Sequence, residues 1–336
     1  MLSDVMEHFG RRKSLRQADF FETDHHRQRL KDLNAAIYEG GIVAITGVVG
    51  SGKTVLLWRI QDQLRQEGQI EVAESLVFDV PRVTLKTLKL ALYDDLATDK
   101  DGDLTGKPEK SERALLNVLH RCQKPIALFI DDGHDLHGQT LGSLKQFIEK
   151  TRRRGGRRTL VFAGHPRLKH ELRRPSREET GGRAPVFELE GIQGQPRRYI
   201  TWLLEHCAAS VDPTDILTPE TLELLAERLL TPFQIQHYLT RGLEQAYRVG
   251  EKPVTPAIVQ MTLAPHLHEL EPTLTRYGYN GKALAELLNI RQTDVRACLH
   301  GQLPPGRTEA LPHQRLAAGL PLSDRSMAAE NQAVAS

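Results

Sequence analysis

A chain of 336 residues has room for one large domain with one or two small ones, and for a sizeable buried core. Charged residues make up 26% of it and the formal net charge is only +2, so a positive field over the whole surface is excluded and any polyanion-binding face must be local. Cys122, Cys207 and Cys298 stand far apart and form no CxxC pair, which argues against a disulfide framework or a zinc site and for a reducing compartment. Residues 1–13 carry no apolar signal segment, and no uninterrupted apolar run approaches the ~18 residues of a membrane span. The expectation is a soluble, cytoplasmic chain with no membrane partner.

Residues 1–40 alternate charged and apolar positions at helical spacing, with Leu30, Leu33 and Ile37 on one face and Thr23 or Asp24 as a cap. This predicts an N-terminal helical arm. From Gly41 the texture changes to short apolar runs between longer amphipathic stretches: Ile42–Ile45, Val72–Phe78, Ile126–Ile130, Thr159–Ala163 and Val186–Leu189. Such runs predict a parallel sheet buried on both faces, and so an α/β core over residues 41–193. The polar loop 97–110 spaces Asp99, Asp101 and Asp103 like a calcium loop, but Leu104 and Lys110 stand where an EF-hand needs Gly and Glu. After Gly194 the strands stop. Residues 194–265 read as a helical lid broken at Pro213, Pro219, Pro232 and Pro253, residues 266–320 as a smaller helical domain, and residues 321–336 as a flexible tail.

Chemistry concentrates at the end of the first predicted strand. Gly47, Val48, Val49, Gly50, Ser51, Gly52, Lys53 and Thr54 form a complete G-x4-G-K-T loop, which leads through Val55 into an amphipathic helix. Glycines at these positions let backbone N–H groups turn toward phosphates at a helix N-terminus, where the dipole favours an anion. Gly47, Gly50, Ser51, Gly52, Lys53, Thr54 and Val55 are therefore the candidate contacts for ATP, with Lys53 on the β- and γ-phosphates and Thr54 on Mg²⁺. The second half of such a site is a buried strand ending in an acid. Ile126–Ile130 followed by Asp131 and Asp132 supplies it, with Asp131 as the second Mg²⁺ ligand and Asp132 as the carboxylate that activates water. His134 and His137 belong to the loop after the acidic strand, His266, His268, His25 and His26 lack partner ligands in the sequence, and no zinc site is expected.

The run Asp131, Asp132, Gly133, His134, Asp135, Leu136 resembles the D-E-A-H-x-L signature of bacterial AAA+ ATPases related to ExeA-type proteins. That group includes transposition helpers such as the phage Mu B protein and transposon target-selection ATPases. Leu160 to Leu168 resembles the sensor strand of those proteins, with His165 in the polar position that follows glycine. The resemblance spans roughly residues 15–265. It implies a sheet of order 5-1-4-3-2 under a helical lid, subunits that assemble with ATP at their interface, and a contact from His165 to the γ-phosphate or the attacking water. Arg183 resembles the arginine finger of the group, with Arg173, Arg174 and Arg177 as close rivals. Two departures stand out. Asp132 replaces the usual Glu with a carboxylate one methylene shorter, which implies slow turnover. Gln234, in the segment Leu230–Ile235, stands where the lid commonly presents Arg.

Positive charge is concentrated between Lys150 and Arg177, where Lys150, Arg152, Arg153, Arg154, Arg157, Arg158, Arg167, Lys169, Arg173, Arg174 and Arg177 face a single acid, Glu171. Such a cluster fits sequence-independent, salt-sensitive contact with a DNA backbone; its plain alternative is a solvated charged face. Residues 282–299 resemble a helix-turn-helix, with Leu284, Leu287 and Leu288 on the first helix, Asn289 at the turn and Thr293 as cap of the second. Val295 and Leu299 would then pack inward while Arg291, Gln292, Thr293 and Arg296 face a groove or a protein. Together these features imply, by resemblance, an ATP-dependent homo-oligomer on double-stranded DNA that recruits or activates a DDE-type transposase. The alternatives are a secretion or envelope ATPase, a signalling ATPase whose hairpin binds protein, and a small-molecule kinase, for which no acceptor pocket is legible.

Overall fold

The computed structural model describes residues 2–74, 85–98, 101, 108–133, 136, 138–152, 156–172, 184–192, 194–208, 211–263, 270–299 and 320. The chain divides into two compact units, Asp19–Gly194 and a second made of Met1–Ala18 with Gln195–Ser336. The expected N-terminal arm is thus split between the two.

The first unit is a five-stranded parallel sheet. Its strands are β1 (Gly41–Thr46), β2 (Glu71–Glu74), β3 (Ile126–Ile130), β4 (Arg158–Gly164) and β5 (Val186–Glu188), in the order β2-β3-β4-β1-β5. This is the 5-1-4-3-2 order read in the opposite direction. The run Ile126–Ile130 shows why the sheet is buried on both faces. Ile126, Leu128 and Ile130 point to one side, where they meet Leu88 and Leu92 of α4 (Leu85–Leu96), Leu115 and Leu119 of α5 (Pro108–Arg121) and Leu144 of α6 (Gly138–Arg152). Ala127 and Phe129 point to the other, against Leu33 and Ile37 of α2 (Asp24–Glu39) and Leu56, Ile60 and Leu64 of α3 (Lys53–Glu67). Each fully buried leucine or phenylalanine contributes about 1.5–3 kcal/mol of transfer free energy. Helix α2 begins at Thr23, whose Oγ1 accepts the His26 N–H at 3.2 Å. Between α4 and α5, the Asp101 carboxylate accepts two bonds from Arg121, at 2.5 and 2.6 Å, and one from the Thr98 N–H at 2.8 Å.

Register positions the site. Thr46 pairs with Gly164, and Ile130 with Phe162, so β1 and β4 end at one level and β3 ends two residues short of them, on the same edge. The residues that follow them, Gly47, Asp131 and His165, therefore share the carboxyl edge of the sheet, where ligands of open α/β sheets bind.

The second unit is helical. Its helices α8 (Pro196–Cys207), α9 (Pro213–Ile216), α10 (Pro219–Arg228), α11 (Pro232–Val249) and α12 (Pro256–Thr262) each open on proline, which follows the short helix α7 (Arg167–Leu172) of the first unit in chain order. Prolines here start helices where the sequence predicts breaks, because the first helical residue needs no N–H partner. Asp212, Thr218 and Thr231 cap three of these helices through bonds to the N–H groups of Thr214, Thr221 and Gln234. The first residues of the chain belong to this unit. Helix α1 (Leu2–His8) leads to the buried Phe9, Arg11 forms a β-bridge with Ala208, and the Arg12 N–H donates to the Cys207 carbonyl at 2.8 Å.

The C-terminal hairpin follows α13 (Leu270–Arg276) as α14 (Gly281–Leu288) and α15 (Gln292–Leu299). Asn280 caps α14, and Asn289 closes it at φ 52°, a left-handed conformation that asparagine tolerates. Leu274, Tyr279, Ala283, Leu284 and Val295 form its core. Thr293 is not the cap of the second helix: the helix starts one residue earlier, and the Arg291 carbonyl accepts the N–H groups of Asp294 and Val295. Among the described residues no helix is long and apolar enough to cross a membrane.

Candidate functional site

The loop from Gly47 to Gly52 connects β1 to α3. Gly50 and Gly52 sit at φ 79° and 97°, where a side chain would be strained, and this left-handed turn aims the first turn of α3 at the loop. Gly47 is fixed to the sheet by its N–H, which donates to the Gly164 carbonyl at 3.2 Å. Lys53 is 8% exposed and its Nζ donates to the Gly47 and Val48 carbonyls at 2.9 and 3.0 Å. Burial pulls its ammonium pKa down, opposed by the charges of Asp131 and Asp132. The lysine is thus held along the loop by two bonds that a phosphate would replace. Val55, in the same turn of α3, is partly exposed beside it.

Thr54 Oγ1 donates to Asp131 Oδ2 at 2.8 Å, and Asp131 Oδ1 accepts the Asp132 N–H at 2.9 Å. The two residues predicted to hold Mg²⁺ are therefore brought together by α3 and β3. A hydroxyl and a carboxylate at this separation form an all-oxygen donor pair of the kind that ion takes with phosphate oxygens and waters. Asp132 is exposed and its backbone is left-handed at φ 50°, uncommon outside glycine but better tolerated by aspartate than by most residues. His165 follows β4 on the same edge, and its carbonyl accepts the Leu168 N–H at 2.8 Å to open α7. Lys53, Thr54, Asp131, Asp132 and His165 are thereby placed at the ends of three adjacent strands.

Other predicted residues fare differently. Arg183, Arg153, Arg154 and Arg173 lie outside the described residues, as does the side chain of Arg152. Arg158 is 6% exposed, and its guanidinium donates to the carbonyls of Leu119 at 2.6 Å and Arg157 at 2.9 Å. It closes the end of α5 against β4 and is removed from the basic face, a correction that its place in β4 accounts for: every residue of that strand is buried, whereas Arg157 precedes the strand and is exposed. Lys169 is paired with Glu188, and Arg167 lies 3.9 Å from Glu171. In the hairpin, Arg291, Gln292, Thr293 and Arg296 are all exposed, with Arg291 3.4 Å from Asp294.

Gln234, which stands where the lid commonly presents Arg, is 8% exposed, and its Oε1 accepts the Leu230 N–H at 3.0 Å, so it closes the start of α11. Leu230 and Phe233, 54% and 56% exposed, are the large apolar residues this turn presents. The T-x-x-Q spacing from Thr231 was the available signal. Sequence reasoning also missed the turn Leu189–Gly191, which packs on the phosphate loop, and the buried His26.

The sheet order, the phosphate loop and the acidic strand give the first unit a P-loop core with the fold of the AAA+ group. Residues 36–172 match the AAA domain family. No curated protein matches the chain. Among solved structures, Pyrobaculum aerophilum Cdc6p is 14% identical, over 93% of this chain and 90% of that one, with a TM-score of 0.55. The Aeropyrum pernix ORC2 protein, solved as ADPNP–ADP complexes, is 15% identical over 88% and 80%, at 0.51. Drosophila ORC bound to DNA is 16% identical over 94% and 83%, at 0.53. At these identities the likeness is one of fold.

Proposed function

We propose that the protein is an ATPase that assembles on double-stranded DNA when ATP is bound and there recruits or activates a DDE-type transposase. The observation that carries the nucleotide half is the 2.8 Å bond between Thr54 and Asp131 beside a buried Lys53. In this reading Lys53 neutralises the β- and γ-phosphates, Thr54 and Asp131 hold Mg²⁺, and Asp132 takes a proton from the water that attacks the γ-phosphorus. Bound Mg²⁺ would neutralise charge on the phosphate oxygens. The short reach of Asp132 makes hydrolysis slow, so ATP acts as an assembly switch more than as fuel. His165 orients the water, and Arg183 is the finger that a neighbouring subunit inserts.

The DNA half is supported by the exposed Arg157, Arg291, Gln292 and Arg296, together with the sequence neighbours Arg152, Arg153, Arg154 and Arg173. A fold relative, Drosophila ORC, is bound to DNA. The transposase rests on the resemblance carried by Asp131 to Leu136. The deciding experiment measures assembly on a random-sequence duplex with an ATP analogue, ADP or no nucleotide, across a salt series, with Lys53→Ala as control. Large, salt-sensitive complexes only with the ATP analogue support the reading. Absence of DNA binding in every state overturns the DNA and transposase roles and directs the search to protein partners.

A further inference from the structure

The turn that leaves β5 does not run through open space. The Leu189 N–H donates to the Thr46 carbonyl at 2.7 Å, which carries the pairing of β5 with β1 to the edge of the phosphate loop. There the two backbones meet. A Cβ built on Gly47 would lie 2.6 Å from the Leu189 carbonyl oxygen and 2.6 Å from Ser51 Oγ, closer than any side chain permits. Two residues on, Gly191 adopts φ +70°, and a Cβ there would lie 3.6 Å from the Cα, Cβ and carbonyl oxygen of Ser51. Ser51 is fully buried, and among the described residues its Oγ has no hydrogen-bond partner. Packing against this turn, not a polar bond of its side chain, holds it in place.

We infer that Gly191 is a positioning residue, the point at which occupancy of the phosphate loop is passed to the chain segment leading into the helical unit. The inference rests on the nucleotide-site reading above. Its physical basis is the Ser51 N–H, which donates to the Val48 carbonyl at 3.2 Å within the loop. Phosphate binding recruits backbone N–H groups of such a loop to the anion. Turning the Ser51 amide toward a phosphate moves the Ser51 backbone, and it is against that backbone that a Cβ at position 191 would lie. Gly194, three positions further, is the last residue of the first unit. It has the same left-handed backbone, φ +74°, but none of the described residues lies within 4 Å of its Cβ position.

This pair of glycines supplies the test. Alanine at either position meets the same left-handed strain, but only at 191 would the methyl lie against the phosphate loop, 3.6 Å from Ser51, an ordinary contact that leaves the Ser51 backbone no room to shift toward the turn. Using the full chain, the affinity for ADP and for a non-hydrolysable ATP analogue is measured for wild type, Gly191→Ala and Gly194→Ala, with the melting temperature of each. Gly191→Ala is expected to weaken nucleotide binding by about tenfold. It should raise KM with kcat little changed, while Gly194→Ala binds as wild type and loses as much melting temperature. Hydrogen exchange on the wild type gives a second arm that needs no variant: the analogue should slow exchange at Leu189, Glu190 and Gly191 as well as at Gly50 to Thr54. Equal affinities for the two variants, or protection confined to the phosphate loop, overturn the inference and leave the nucleotide site standing. A wild-type chain that binds no nucleotide overturns that site and the inference with it.

Discussion

Thr54 Oγ1 and Asp131 Oδ2 lie 2.8 Å apart although 77 positions separate them in sequence. The sheet achieves this by ending β1 and β3 on one edge, so that the first turn of α3 faces the residue after β3. Thr54→Ala is expected to lower Mg²⁺-dependent turnover by about 10²–10³-fold, the scale of losing one preorganised group around a transferring phosphate. Thr54 is exposed, so the fold should be unaffected, and Thr54→Ser should restore the activity. A Mg²⁺ titration of turnover reads the difference; a wild-type curve for Thr54→Ala would count against the assignment.

Asp132 holds a left-handed backbone, a conformation that costs most residues about 1–2 kcal/mol and aspartate or asparagine less. Asp132→Asn should therefore fold normally and bind ATP with unchanged affinity, while turnover falls about 10²–10⁴-fold through loss of the base. Asp132→Glu, with a longer reach, should hydrolyse ATP faster than wild type. Single-turnover rates on the three proteins decide both points, and a glutamate variant no faster than wild type ends the account of slow hydrolysis by short reach.

What the sequence made legible follows from how local its signals were. The phosphate loop and Ile126–Asp131 announce themselves because continuous burial demands uninterrupted apolar strands and phosphate binding demands glycine. Both signals are confined to a few neighbouring residues. Arg158 shows the limit. In a basic run each arginine looks alike, and only its place inside β4 and the Leu119 carbonyl behind it turn this one inward. The chain's first 18 residues read as part of one arm with α2, because a helical repeat carries no information about which body it packs on; the bridge from Arg11 to Ala208 decides that. Gln234 stood out in the sequence only as a departure from an arginine; what it does follows from its cap chemistry with Thr231 and Leu230.

His26 makes the first unit sensitive to acid. Its ring is 3% exposed, its Nδ1 lies 2.8 Å from Thr23 Oγ1, and the Thr23 N–H donates to it at 3.3 Å, a bond that requires the neutral ring. Burial, with the nearby His25 and Arg59, pushes its pKa from 6.5 down to about 4. The unfolded chain therefore takes up a proton below pH 6.5 that the folded chain refuses until about pH 4. The stabilisation is complete above pH 6.5 and declines by about 1.4 kcal/mol per unit below it, to roughly 3 kcal/mol in all. Thermal melts from pH 8 to 4.5 should show wild type losing this margin relative to His26→Gln, whose amide oxygen can accept the same bond. Parallel curves would remove His26 as the cause.

Neighbouring arginines should separate cleanly by experiment. Arg158→Ala leaves the Leu119 carbonyl without its charged donor at the end of α5, and should cost about 2 kcal/mol of stability, the scale of a hydrogen bond to a charged group. Arg157→Ala removes an exposed side chain and should leave the melting temperature within about 0.5 kcal/mol of wild type in stability. On a DNA duplex the order reverses. If Arg157 and Arg296 meet phosphates, each alanine variant should weaken binding equally across sequences and lower the slope of log K against log salt by about one. Arg158→Ala, measured well below its melting temperature, should leave that slope unchanged. Arg296 has the clearer expected effect in the hairpin, because Arg291 already faces Asp294 at 3.4 Å and offers a phosphate less free charge. A salt slope that Arg157→Ala and Arg296→Ala leave untouched would show that these arginines are a solvated face, and DNA contact would have to be sought elsewhere on the chain.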